Sequence, residues 1–517
     1  MICEFFFQKL CSICQRLPFY KQINENDMRF TARFFMLGIV VAMISGCSAD
    51  FFDSCSEVGY YSEMSITDGM PEEDQGKFDE IVENKFISTA DEPVSTFSVD
   101  ADGASYSYIK RCILEGTSFN KNSARIEEFI NYFPFDYAEP AGNDFVALNA
   151  EVGDCPWAEG HKIMRLGMKG KSLKAGEMKN SNYVFLVDVS GSMNGEDRLT
   201  LLKNGMKALV DVLDPKDRIS IVTYSGNVNK VLESTPVSKA EVIKKAINKL
   251  SASGSTNGGQ ALKMAYEEAS ENYIEGGNNR IIMGTDGDFN VGVTSTDDLL
   301  EMVQDYAKGG IYLTICGFGW GNLNDSMMET ISNKGNGTYE YIANSDDMVK
   351  IFVRETSKFH SVANDCKVQV TFNPEAVAQY RLIGYENRRM ENEDFENDDE
   401  DAAEIGAGQT VTALYELIPA EGYKEGGKCA SFDFRYKKSL DSTSLLLTQD
   451  VAENGSTSES FDFACSVAGY GMLLRGSEYC GTATLDMVKS LAGKAASKYD
   501  PYEYRKDFIT LVNRTEL

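Results

Sequence analysis

VFLVDVSGSMNG, residues 184–195, decides the reading of this chain. An apolar run ends in Asp188, and the chain then turns through Ser190, Gly191 and Ser192. A buried strand seldom closes on an acid followed by two hydroxyls in a glycine turn. A metal site and a simple capped turn are the two explanations, and the surrounding pattern decides between them.

Working outward, three more apolar runs follow: 218–224, 280–286 and 311–318. With 182–189 they predict strands buried on both faces. Amphipathic stretches separate them. Leu199, Leu202, Met206, Leu209 and Leu213 form one helical stripe, stopped at Asp214-Pro215, and 258–273 and 296–309 repeat the logic. Alternating strands and helices predict an α/β fold with a doubly wound, mostly parallel sheet. In such a sheet ligands bind outside the carboxyl ends of the strands, where the strand order reverses.

Asp188 stands at such an end, and Ser190 and Ser192 are spaced so that both hydroxyls can face one point. Asp286 ends a second buried strand, and Thr256 lies in a Gly-rich loop just before a helix. Two carboxylates and three hydroxyls are hard oxygen donors. Completed by water, they suit a six-coordinate hard cation, Mg²⁺ first and Mn²⁺ or Ca²⁺ behind it. Neutral hydroxyl ligands leave such an ion with net positive charge, ready for a carboxylate from another molecule.

Composition narrows the function. The chain has 517 residues, enough for two or three domains, and a net charge of −29. That charge repels nucleic acid and anionic lipid surfaces. Only His161 and His360 are present, so zinc hydrolase and Ser–His–Asp chemistry lack their usual parts. Met168-Lys-Gly-Lys-Ser172 lacks the upstream glycine of a phosphate loop, and Gly317-Phe-Gly319-Trp-Gly321 lacks dinucleotide-loop spacing. Asp100-Ala-Asp102-Gly103 lacks the further acids of an EF-hand and reads as a turn. The nine acids within 391–404 read as a solvated loop.

At the N-terminus, Arg29 and Arg33 precede an apolar run, 34–46, too short to span a membrane as a mature helix. It ends in Ile44-Ser-Gly-Cys47, which resembles the lipobox of a bacterial lipoprotein signal. That resemblance implies cleavage before Cys47 and a lipid on its sulfur. Met28 is then the better start, and 1–27 an upstream artefact. "CSADFFD" is a partial match to an acidic export signal, which leaves the membrane leaflet open. The eight cysteines after Cys47 are widely spaced and form no disulfide framework.

Asp188-x-Ser190-x-Ser192, Gly254-x-Thr256 with Ala261-Leu262, and Thr285-Asp286-Gly287 resemble the metal-ion-dependent adhesion site of von Willebrand factor type A domains. "STADEPVSTFSVDADGASYSYIKR" and "RIEEFINYFPFDY" resemble the N-terminal extension of one bacterial subfamily. "YRLIGYENR" and "DPYEYRKDF" resemble its C-terminal domain of unknown function, an α+β unit of strands followed by helices. The resemblance implies that Ser190, Ser192 and Thr256 ligate the metal, with Asp188 and Asp286 acting directly or through water. It also implies a partner that offers an Asp or Glu carboxylate. The expected layout is a signal over 28–47, a flexible acidic tether over 48–92, the extension over 93–175, the type A domain over 176–358 and the C-terminal domain over 359–517. The expected function is metal-mediated protein binding in the bacterial envelope, lipid-anchored, with no enzymatic activity. The alternatives are a structural envelope protein whose metal only stabilises the fold, and a metal-assisted hydrolase.

Overall fold

The computed structural model describes residues 76–517 apart from 175, 255–257, 288–294, 320–322, 454 and 497. The signal segment, Cys47 and Thr256 therefore lie outside the described residues.

The central sheet has six strands: β1 (Ser181–Asp188), β2 (Arg218–Tyr224), β3 (Val228–Pro236), β4 (Asn278–Thr285), β5 (Ile311–Gly317) and β6 (Tyr339–Tyr341). Their order is β6-β5-β4-β1-β2-β3. All pairs are parallel except β2 with β3. The four apolar runs of the sequence are β1, β2, β4 and β5. The sequence reading missed β3, a half-exposed antiparallel edge, and β6, only three residues long. Neither has the apolar run that marks the others.

Alternate side chains of β1 enter different cores. Tyr183, Phe185 and Val187 pack with Leu202 and Met206 of α1 (Leu199–Val212). Val184 and Leu186 pack with Ala261, Leu262 and Ala265 of α3 (Gly258–Glu271), whereas α2 (Ala240–Asn248) joins the first face through Ile243 and Ile247. Two further helices, α4 (Thr296–Lys308) and α5 (Asp325–Lys334), cover β5. Burial of β1 on both sides explains why residues 183–187 are apolar without alternation.

The segments on either side of this unit fold together. One antiparallel sheet runs Ile87–Ser88, Val377–Ile383, Thr410–Pro419, Lys162–Gly170, Val146–Asp154, so strands from before and after the central sheet are joined within it. The other is built on Ser361–Phe372, which pairs with Val94–Ser98, Ile405–Gly406 and Lys428–Lys437; Leu445–Ala452 adds the far edge. Phe97, Leu166, Val368, Tyr415 and Phe432 fill the space between them. Helices Ala104–Glu115 and Ile126–Asn131 pack on Glu459–Arg475 and Tyr504–Arg514 through Tyr106, Phe129, Phe133, Phe463 and Phe508. Phe133 meets Phe463 edge-on at 5.0 Å and Phe508 at 5.6 Å, the arrangement that aromatic quadrupoles favour. Trp157 is wholly buried and donates its indole N–H to Glu416, as expected of a core anchor.

The tether reading needs correction where it overlaps the described residues. Residues 76–92 lie against the folded body. Ile87 and Ser88 pair with Tyr380 and Gln379, Asn84 donates to the Leu382 and Gly384 carbonyls, and Phe78 packs on Tyr108. Backbone pairing and single anchors hold this stretch, which is why no apolar period marks it.

All seven described cysteines are free thiols, six of them buried. Among the described residues, no helix is long and apolar enough to cross a membrane.

The shared sheets make a direct prediction. A chain truncated after residue 358 leaves Val94–Ser98 without its partner and Lys162–Gly170 with only Val146–Asp154 beside it. Limited proteolysis is expected to cut that chain within 93–175 at least tenfold faster than the full protein, while β1 and β4 stay protected.

Candidate functional site

Parallel pairing sets Val187 beside Gly284, so Asp188 and Thr285 end their strands side by side at the point where the strand order reverses. Asp188 is wholly buried. One of its oxygens accepts the Ser190 N–H at 2.8 Å and the other accepts the Thr285 hydroxyl at 3.3 Å. Burial pushes its carboxyl up to about 6; the Ser190 amide opposes this and the charge of Asp286 adds to it. Asp286, the next residue after β4, is also wholly buried.

The turn after β1 is a single 3-10 turn over Gly191–Met193. It brings Ser190 Oγ and Ser192 Oγ to 2.9 Å, so the two hydroxyls converge as the spacing predicts. Ser190 is buried and Ser192 half-buried. The turn is tied to the neighbouring loop: Gly191 N–H donates to the Gly254 carbonyl at 3.0 Å, and Ser253 N–H to Val189 at 2.7 Å. Gly254 stands two residues before Thr256, the one expected ligand outside the described residues.

Glycine is required at position 287. Its φ is +93°, and a Cβ there would meet the Asn324 amide nitrogen at 2.6 Å. The Asp286 turn is thereby pressed against the start of α5.

Two features escape the sequence reading. Arg198, at the start of α1, donates to the Ser192 carbonyl and lies 3.4 Å from Asp286. Gly319 has φ +69°, and a Cβ there would strike the Arg198 guanidinium. A lone arginine at a helix start carries no motif; only the fold reveals its target. The second feature is Asp100 and Asp102. The sequence reads them as a turn with no ligand role; both are buried and meet Glu329 of α5. Sequence separation hid that third carboxylate.

Neither histidine joins the site. His161 Nδ1 lies 2.6 Å from Glu416, and His360 faces Arg280 at the opposite end of β4 from Asp286, its imidazole held down at about 4 by burial. The site offers hydroxyl and carboxylate oxygens around two buried acids, a donor set that fits a hard divalent cation.

Known families match three stretches of the chain. Residues 182–354 match the von Willebrand factor type A domain, 72–165 match the family described as von Willebrand factor, and 357–517 match the C-terminal region of the uncharacterized protein YfbK. YfbK of Escherichia coli K12 is 36% identical over 462 residues, spanning 84% of this chain and 80% of that protein. The chain belongs to the YfbK family. Asp188, Ser190, Ser192 and Asp286 all lie within the stretch that matches the type A domain. Solved structures similar to this YfbK relative include a von Willebrand factor type A protein from Catenulispora acidiphila (14% identity, TM-score 0.44, 72% of this chain and 91% of that one). Another is proximal thread matrix protein 1 of the mussel byssus with a zinc-occupied adhesion motif (24% identity, TM-score 0.28, 34% of this chain and 44% of that one).

The buried Asp188 carboxylate gives a signed pH dependence. Its folded pKa lies above the unfolded value, so ionisation costs stability as pH rises through the interval from about 4 to about 6. In chelator, Asp188→Asn is expected to raise the melting temperature at pH 8, and the gain should shrink through pH 5 and vanish below about pH 4. Scanning calorimetry of both proteins across that range checks this.

Proposed function

We propose that this YfbK-family protein is a lipid-tethered binding protein of the bacterial envelope, which captures another protein through an acidic side chain. The observation that carries the reading is the convergence of the Ser190 and Ser192 hydroxyls beside buried Asp188 at the sheet's switch point. Ser190, Ser192 and Thr256 would hold a divalent cation, with Asp188 and Asp286 contributing directly or through water. Mg²⁺ suits these ligands first, and Mn²⁺ or Ca²⁺ next. The cation supplies an open coordination position for the partner's Asp or Glu carboxylate.

The chain's own residues do the rest. The Ser190 amide and the Thr285 hydroxyl fix the Asp188 carboxylate, leaving half-buried Ser192 at the rim above buried Ser190. Arg198 balances part of the charge of Asp286 and braces the Ser192 carbonyl. The type A domain belongs to a class that mediates protein–protein contacts. With no histidine in the site, the reading is binding and not turnover. The anchor rests on Cys47 and the lipobox-like segment before it, and it places the protein at a membrane, the outer membrane before the inner. A protein partner is favoured over nucleic acid by the charge of −29.

Crosslinked capture from the native envelope tests this. Wild type with Mg²⁺ is expected to retain a partner that chelator releases, and Ser192→Ala should lower the yield at least tenfold with a melting temperature within about 1 °C of wild type, because the serine sits at a rim. Equal capture by wild type and Ser192→Ala would leave the metal a purely structural part.

A further inference from the structure

A second group of buried acids lies away from the Asp188 site. Asp100 and Asp102 follow strand Val94–Ser98, and Glu329 lies on α5. One carboxylate oxygen from each lies within 4.8 Å of the others. Oxygens around a single Ca²⁺, at about 2.3–2.6 Å from it, fall within about 5 Å of each other.

The surrounding charges do not balance. Glu128 and Asp325 are buried in the same network, and its cations are Arg125 and Arg388. Arg125 is taken up by Asp325 and Glu128. Arg388 donates Nε to Asp100 at 2.8 Å and Nη2 to Glu329 Oε1 at 3.0 Å. Asp102 Oδ1 accepts the Tyr339 amide at 2.9 Å, but Asp102 Oδ2 accepts no hydrogen bond; its nearest cation, Arg388 Nη2, is 3.7 Å away. Glu329 Oε2 likewise has no hydrogen-bond partner. Asp102 is 2% exposed and Glu329 6%. Buried carboxylate oxygens left unmatched are costly, and they are relieved by a proton or by a cation. Burial and the charges of Asp100 and Glu329 hold the Asp102 carboxyl well above its usual range. A single proton would still leave this network with more carboxylates than cations. A cavity of about 350 Å³ reaches Glu329, with Glu400, Asp401 and Glu404 but also Lys334 and Arg389 on its walls.

We infer that Asp100, Asp102 and Glu329 form a second divalent-cation site, of calcium type, distinct from the site at Asp188. The ligands are carboxylates in irregular array, which suits the loose coordination of Ca²⁺ better than the octahedron of Mg²⁺. The site joins the segment before the central sheet to α5, and Arg388 ties both to the segment after it. Bound Ca²⁺ thus fastens the flanking segments to the type A domain.

Calcium titration of the full chain by calorimetry, with Ser190→Ala and Ser192→Ala introduced to disable the first site, tests this. The doubly substituted protein is expected to take up one equivalent of Ca²⁺ and to gain several degrees in melting temperature. Adding Asp102→Asn should remove both the uptake and the gain, while in chelator that variant melts no lower than its parent. Glu329→Gln is the parallel variant and should behave alike, so a folding failure of one leaves the other decisive. Absence of Ca²⁺ uptake in the doubly substituted protein, or uptake unchanged by Asp102→Asn or by Glu329→Gln, overturns the inference and assigns the orphan oxygens to a shared proton.

Discussion

The side-by-side termination of β1 and β4 is the constraint on which the site depends. Parallel pairing fixes Asp188 opposite Thr285, and the following residue, Asp286, is then delivered to the same end of the sheet. Two buried acids beside each other are unfavourable in isolation. The fold tolerates them because each oxygen of Asp188 accepts a hydrogen bond and because Arg198 approaches Asp286. A stability cost is thereby stored where a ligand can relieve it. The serine turn follows from the same geometry: the strand ends, a single 3-10 turn spans Gly191–Met193, and the hydroxyls of Ser190 and Ser192 fall together.

The rest of the molecule supports this end of the sheet without touching a ligand. The Asp286 turn rests on the start of α5 through Gly287, and α5 carries Glu329 into the buried Asp100–Asp102 network. Tyr339, at the start of β6, donates its amide to Asp102. The central sheet and the flanking segments are thus wired together by polar contacts as well as by the aromatic core. Two sheets that each combine strands from before and after the type A domain leave that domain clasped by a single body.

Much of this was legible in the sequence. The runs behind β1, β2, β4 and β5 are apolar because both faces are covered, and that pattern survives without any partner information. Asp188, Ser190 and Ser192 are close in sequence, so their convergence follows from a single turn. Asp286 was found through its position at a strand end. What stayed hidden depends on distant contacts. The edge strands β3 and β6 lack a two-sided apolar signal. Residues 76–92 are held by backbone bonds that leave no side-chain period. Asp100 and Asp102 look like a turn until Glu329 arrives from more than two hundred residues away. The pairing of Lys162–Gly170 with Thr410–Pro419 is likewise a long-range event that local pattern does not encode.

The central claim is that hydroxyls and acids from separate loops share one cation. Anomalous diffraction from crystals soaked in Mn²⁺ addresses it most directly. The account predicts a manganese peak at about 2.0–2.3 Å from both Ser190 Oγ and Ser192 Oγ, on the side facing Asp188 and Asp286. Density for Mn²⁺ elsewhere only, with Arg198 still filling the approach to Asp286, would contradict it.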